Sequence, residues 1–542
     1  MDALLGKWWS VIKKKEYLYP LVATLMVGLL THMFIFVNKL PNADAMTSFY
    51  FDQNMVTSGR WFLTVVCGLS SYYDLNWVIG VLSIIYLAVA TVFISEFFEV
   101  KTLSVRISIG ALLVTFPAVT ATFAYLYTAD GYMLAFLLSV LAAYLTKKYK
   151  WGFVGGAICL ALSIGSYQAY LAATVLLCLF DMIQMSLRNE NIKRIWSKGW
   201  RYLAMGISGG ALYYVVLKIC LLLQGKELDT YQGINSMGSI SLQTLPGMFV
   251  EAYYDFAAFA LKGNIFINNG FSAVCVVLLT VVVCVTALFC YVKTKAYKRW
   301  YQTLLLFAFC FLLPLGTNII FFMSSEVTFH LLMRMQWVIF PIFAVVLSEI
   351  WSVAGTEELK GREAKVSEDK KTEDVPARKV SKKGFNLPLF VAAVGVLASL
   401  GLSYQFILMD NIAYFNMNER YEKTYAYCLR LVDRIEQTEG YEPGMPIAMI
   451  GVVDESKYPP TDITGDVTSR ISGTTGDILI YKGEQYAAFM KHYLNVTINP
   501  VVGEEIIEIY NSPEYREMDS FPAENSIRIV DGVMYIKTEP KE

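Results

Sequence analysis

Two carboxylates and a guanidinium stand close together in "LPNADAMTSFYFDQNMVTSGRWFL" (Leu40 to Leu63), directly after an apolar stretch long enough to cross a bilayer. Asp44, Asp52 and Arg60 are the parts of one kind of chemistry. A carboxylate can take the proton from an attacking hydroxyl, while a cation and neighbouring amides hold a departing phosphate whose charge grows in the transition state. Other ionisable residues recur beside apolar segments: Asp130 in "YTAD", Glu251, Asp255 and Lys262 in a long loop, and Glu326, His330 and Arg334 near a late apolar run. Such residues at membrane depth are costly, so each needs a partner, a wet cavity or a job. His32, inside an apolar segment, reads as a helix-packing residue rather than a ligand.

The elements that must position these groups are read from composition. Of 542 residues, 56 % are hydrophobic and only 17 % charged, too apolar for a surface facing water on all sides. Mean hydropathy is +0.46. The fold class expected is therefore a polytopic α-helical membrane protein. Eleven apolar segments are long enough to be spans, from Tyr17–Asn38 to Leu387–Met409. Lys and Arg cluster on every second connection, at 13–15, 101–106, 147–150, 188–201, 293–299 and 360–383, which predicts a cytoplasmic amino terminus and an extracytoplasmic carboxyl-terminal part. A net charge of −1 with dispersed cations carries no nucleic-acid signature.

Four regions follow. Residues 1–351 form a transmembrane core with ten spans and outer loops at 39–75 and 224–270. Residues 352–386 are a charged cytoplasmic linker too poor in apolar residues to fold, 387–409 the eleventh span, and 410–542 a small extracytoplasmic α/β domain. That last domain should hold an amphipathic helix ended by Gly440, a strand at "MPIAMIGVV", helices near Glu484–Tyr493 and Gly503–Tyr510, and a hairpin turning at Asp531-Gly532. In the first outer loop Phe49–Leu69 reads as an interfacial helix, since its apolar run "WFLTVVCGLSS" is too short to span alone, and this would set Asp52 and Arg60 about 2.2 turns apart on neighbouring faces. A second interfacial helix is expected in "LPGMFVEAYYDFAAFALKG".

Several chemistries have no sequence support. There is no phosphate-cradling GxxxxGK[ST] or GxGxxG, no HExxH, and no CxxC or disulfide framework, so no cofactor or metal is expected. If the candidate groups share one site on the outer face, where no nucleotide is at hand, the energy for group transfer has to arrive in a lipid-linked donor.

In "NADAMTSFYFDQNMVTSGRWF", in "SIGSYQAYL" (Ser163 to Leu171) and in the closing "FPAENSIRIVDGVMYIK", the sequence resembles the bacterial Gtr-type (type II) glucosyltransferase family of the GT-C class. The resemblance implies transfer of a hexose, glucose foremost, from a polyprenyl-phosphate monosaccharide to a cell-envelope glycan, at the outer face of the bacterial cytoplasmic membrane. It gives the general-base role to Asp44, with Asp52 as the alternative. Arg60 and Arg334 would then hold the lipid phosphate, and Gln53, Asp130, Tyr167 and Gln168 would contact the substrate. The competing reading is a transporter or flippase of a lipid-linked sugar. It should show internal repeats and polar groups at the bilayer midplane, and the sequence has neither.

Overall fold

With no water in the hydrocarbon layer, an apolar run satisfies its backbone polar groups internally by coiling into a helix. The computed structural model describes residues 13–236, 243–324, 327–350, 386–451, 471–475 and 479–539. The linker expected at 352–386 lies, but for its last residue, outside the described residues, and so does Glu326.

In chain order the principal helices are α1 (Lys15–Val37), α2 (Asn76–Phe97), α3 (Leu103–Thr115), α4 (Pro117–Phe123), α5 (Ala129–Lys148), α6 (Gly152–Ser166), α7 (Leu171–Leu187), α8 (Ile192–Gln224), α9 (Leu245–Lys262), α10 (Gly270–Lys293), α11 (Trp300–Thr317), α12 (Leu331–Ile350) and α13 (Leu387–Glu436). Among the described residues nine are long and apolar enough to span, and α3 with α4 forms a tenth bent by 41°. The bend falls where Phe116 is extended ahead of Pro117, since a residue before proline is pushed out of the helical region. The short apolar helix α6 completes the correspondence with the eleven segments read from the sequence. The chain is a polytopic helical membrane protein.

Two kinds of span are distinguished by what they touch. Along α12, 89 % of the apolar window is buried inside the protein, against 22 % for α11. Helix α12 is thus enclosed by other helices, whereas α8, α10 and α11 carry bare apolar side chains such as Ile207, Val277, Val281 and Phe307. Contiguous apolar surface of that kind is compatible with lipid and not with water. The basic connections among the described residues meet at one face: Arg106 donates to the Glu16 carbonyl, Arg188 lies 3.7 Å from Glu99, Lys198 donates to the Lys147 carbonyl, and Asn189 donates to the Thr294 carbonyl.

Helix α13 runs unbroken through Met409, so the last span and the amphipathic helix expected after it are one 50-residue helix. It carries a small sheet of β1 (Pro446–Ile450), β2 (Asn499–Pro500), β3 (Ile527–Val530) and β4 (Val533–Lys537), in the order β2-β1-β4-β3. Only β3 and β4 pair antiparallel. Their turn is Asp531-Gly532, both with positive φ (49° and 80°), the conformation that suits a two-residue hairpin and that Gly adopts without strain. The other expected elements appear as helices Gly483–Phe489 and Glu504–Asn511, with a wider π turn at Met490–Leu494.

Candidate active site

The first loop is not the helix its apolar residues suggest. Asp52 Oδ1 accepts the Asn54 N–H at 3.0 Å, closing a side-chain turn that competes with helix formation, and Gln53 and Gly59 sit at φ 57° and 74°. Residues 49–74 form instead a folded-back loop, with bridges Tyr50–Tyr73 and Met55–Arg60, a single turn Val56–Ser58 and the short helix Leu63–Cys67. Asp52 and Arg60 therefore do not share a helix.

What fixes the loop is a second segment distant in sequence. Gln168 Nε2 donates to the Ser58 carbonyl at 2.8 Å, Tyr213 hydroxyl donates to the Gly59 carbonyl, and the Phe62 N–H donates to the Gly165 carbonyl. A Cβ on Gly59 would lie 2.6 Å from both the Gln168 amide and the Tyr213 hydroxyl, so only glycine permits this approach. The "SGRW" and "SIGSYQAYL" segments are thus two halves of one joint, and Arg60 is presented by it.

Arg60 points into a cavity of about 470 Å³ that Asp44, Tyr132, Tyr167 and Gln168 also line. Its Nη1 donates to the Tyr132 hydroxyl at 2.9 Å, and its guanidinium lies 5.2 Å from the Tyr167 ring centre. Tyr132 and Tyr167 are stacked with centroids 4.0 Å apart. A cation over paired aromatic faces is held in place by the ring quadrupoles. Ile320, Met323, Leu332 and Met333 form an apolar wall, and His330 and Ser324 also reach the lining. The volume falls in the range of about 300–1,000 Å³ usual for small-molecule sites.

Asp44 is exposed at the mouth of the cavity, and among the described residues no hydrogen bond or ion pair engages its carboxylate. It sits on a single turn, Asp44–Met46, that is anchored from the other side. Met46 is fully buried in the core of the C-terminal domain with Tyr427, Tyr486 and Phe489. Phe49 packs on His492 at 4.3 Å and Lys39 lies 3.2 Å from the Phe49 ring centre. Beneath this contact burial pushes Asp74 up to about 6, with Lys39 partly offsetting it, and lowers His492. A partly dehydrated seam of this kind joins the loop to the domain.

The remaining sequence candidates lie elsewhere. Asp52 is exposed and does not line the cavity. Gln53 is buried and does not line the cavity itself, donating to the carbonyl of Tyr127, which does, at 3.2 Å. Asp130 is buried at the start of α5, where its Oδ1 accepts the Gly131 N–H and faces the Cys67 thiol. Arg334 makes a two-pronged ion pair with Asp255 at 2.7 and 2.8 Å and lines a different cavity. Tyr127 and Tyr132, which build the first cavity, carry no sequence pattern of their own. The cue is their position, flanking Asp130 in the polar break "YTADGY". His32, as expected, packs in the bundle, with Nδ1 2.7 Å from the Tyr414 hydroxyl and Nε2 2.8 Å from the Val114 carbonyl.

Among the described residues no group of three or more His, Cys, Asp or Glu is arranged to hold a metal. A sequence model of the family described as Glucosyl transferase GtrII matches residues 33–345, more than half of the chain and all of the candidate residues above. No curated protein matches.

Proposed function

The chain belongs to the glucosyl transferase GtrII family and is a membrane glycosyltransferase, and on that premise we propose that it moves glucose from a polyprenyl phosphate to a cell-envelope glycan. The observation that carries this reading is one cavity that Asp44 and Arg60 of the same loop both line, beside an apolar wall. A lipid-linked sugar phosphate needs both surfaces, polar for its head and apolar for its tail.

In the proposed reaction an acceptor hydroxyl oxygen bonds to the anomeric carbon of the glucosyl unit. The bond from that carbon to the phosphate oxygen breaks, and its electron pair leaves on the lipid phosphate. The hydroxyl proton passes to the Asp44 carboxylate, which is exposed and makes no hydrogen bond or ion pair among the described residues, leaving it open to act as a base. Arg60 offers guanidinium donors to the phosphate as its charge grows. Tyr167 and Tyr132 supply ring faces for the sugar, and Gln168 and Gln53 hold the two sides of the pocket. Asp130, enclosed behind the pocket, supports its floor.

The basic connections gathered at the far face favour a cytoplasmic location for that face by the positive-inside rule. The cavity and the C-terminal domain would then be extracytoplasmic, with the chain in the bacterial plasma membrane. The test uses full-length protein in liposomes holding labelled polyprenyl-phosphate glucose, with envelope glycan added on the cavity side. Transfer of label by wild type and its loss in Asp44→Asn, at equal insertion, is the expected result. Movement of intact donor between leaflets with no transfer would mark a flippase and overturn the proposal.

A further inference from the structure

A transferase must hold two substrates at once, and the first cavity has the surfaces of one amphipathic donor. A second cavity, about 400 Å³, lies on the other side of the segment 327–334. His330, Leu332 and Met333 face the first cavity, whereas Phe329, Leu331 and Arg334 face the second. One stretch of backbone is therefore the wall between them.

The second cavity differs in kind. Its centre is the Arg334–Asp255 ion pair, with the guanidinium 4.6 and 4.7 Å from the ring centres of Phe259 and Phe329. Lys262 lies exposed at its edge. Ser472, contributed by the C-terminal part of the chain, accepts the Leu331 N–H at 3.0 Å, so its own hydroxyl proton remains available to donate. The adjoining Gly473 abuts Tyr125, which lines the first cavity, and its carbonyl accepts from Arg420 on α13. The segment 471–475 thus lines the second hollow, abuts a residue that lines the first, and ties both to helix α13.

We propose that this second cavity is the acceptor subsite and takes a neutral, hydroxyl-rich saccharide; the proposal rests on the transferase reading above. The chemistry selects against the obvious rival, an anion. Asp255 faces the cavity and would repel a phosphate, and the fork of Arg334 is already engaged by that carboxylate. Each sugar hydroxyl is both donor and acceptor, so it can use the remaining lone pairs of Asp255 and the protons of Ser472 and Lys262 together. A pyranose held there is separated from the donor by one layer of chain, so it anchors a unit of the acceptor glycan adjacent to the reacting one, whose hydroxyl enters the first cavity from the aqueous side; a glycan arriving from that side meets the C-terminal domain first.

The test is kinetic and uses the full chain in liposomes with labelled polyprenyl-phosphate glucose and polysaccharide released from the source cell's envelope. Ala258→Trp fills the cavity and leaves the ion pair intact. It should raise the KM for polysaccharide about tenfold and leave the KM for donor nearly unchanged, the signature of lost acceptor binding. Asp255→Asn should act in the same direction. An unchanged acceptor KM in correctly inserted Ala258→Trp, or an equal rise in donor KM, overturns the proposal. If wild type transfers no glucose at all, the transferase reading fails first. The subsite is then judged by binding of the fluorescently labelled polysaccharide: retention by wild type with loss in Ala258→Trp supports it, and equal binding by both overturns it. Displacement of the bound polysaccharide by inorganic phosphate or phosphatidylglycerol vesicles, and not by unlabelled polysaccharide, marks an anion site and also overturns it.

Discussion

The two ends of the helix bundle treat charge in opposite ways. At the end carrying the basic connections, buried charges close on one another. Lys147 pairs with Asp181 at 2.6 Å, Asp181 also accepts from the Tyr202 hydroxyl, and Arg106 pairs with Glu96 at 2.8 Å. At the other end Asp44 is left without a hydrogen bond or ion pair among the described residues, and Arg60 is held by a hydroxyl and two aromatic faces at the edge of a cavity. Helix α5 joins the two: Tyr132 and Lys147 are separated along it by about 22 Å at 1.5 Å per residue. A closed pair stabilises a helix junction, whereas an open carboxylate beside a held cation is arranged to meet something from outside.

The sharpest way to break this comparison is at Asp44. If its open carboxylate is the base, Asp44→Asn should cut glucosyl transfer by about 10²–10⁴-fold, the usual weight of general-base catalysis, with no loss of thermal stability. Single-turnover transfer and a detergent melting curve measure the two quantities, and near wild-type transfer would remove Asp44 from the mechanism. The closed end should respond the other way. Asp181→Asn strands a largely buried Lys147 ammonium and should cost about 3 kcal/mol of stability, the lower part of the range for breaking a buried pair. Activity per folded molecule should be kept. A stable Asp181→Asn protein that is inactive would show that the closed end also serves the reaction.

The sequence made some of this legible and could not make the rest so. Spans are legible because apolar length is a one-dimensional property, and the Asp531-Gly532 hairpin because its turn chemistry is local. The first loop has the apolar pattern of a helix and is not one, because the Asp52 carboxylate accepts the Asn54 N–H and Gly59 takes a left-handed conformation, both against that pattern. The joint between "SGRW" and "SIGSYQAYL" was visible as two motifs but not as a contact, since Gln168 reaches Ser58 across 110 residues. Met46 looked like one apolar residue in a polar loop; that it enters the core of the C-terminal domain depends on a surface built by α13 and the helix Gly483–Phe489. Asp44 and Arg60 stand out in the sequence by chemical type, and tertiary packing brings both to the edge of one cavity. Arg334 stands out for the same reason and is paired with Asp255 by packing that no spacing rule reveals.

A smaller effect sharpens the comparison at the joint that presents Arg60. Gly59→Ala imposes a left-handed backbone on a residue with a Cβ, at about 1–2 kcal/mol, and places that Cβ against Gln168 and Tyr213. The loop should shift by a few tenths of an ångström and carry Arg60 with it. The expected outcome is a severalfold rise in the KM for lipid donor with the protein still inserted, read from initial rates at varied donor. A change confined to stability would separate the joint from the site.

The smallest effect is expected at the other aspartate of the same loop. Asp52 has a carboxylate of the right kind, but it is exposed, absent from the cavity lining, and engaged by the Asn54 N–H at 3.0 Å. An asparagine there retains the oxygen that accepts this bond, so Asp52→Asn should preserve the turn and change stability by less than about 0.5 kcal/mol, as surface substitutions commonly do. Transfer should stay within about twofold of wild type at saturating donor, because a group outside the cavity cannot reach the hydroxyl proton directly. Parallel transfer curves for Asp44→Asn and Asp52→Asn therefore decide between two chemically identical side chains by position alone. If Asp52→Asn is the inactive one, the base must reach the donor from the loop's exposed face, and the cavity is no longer where the proton moves.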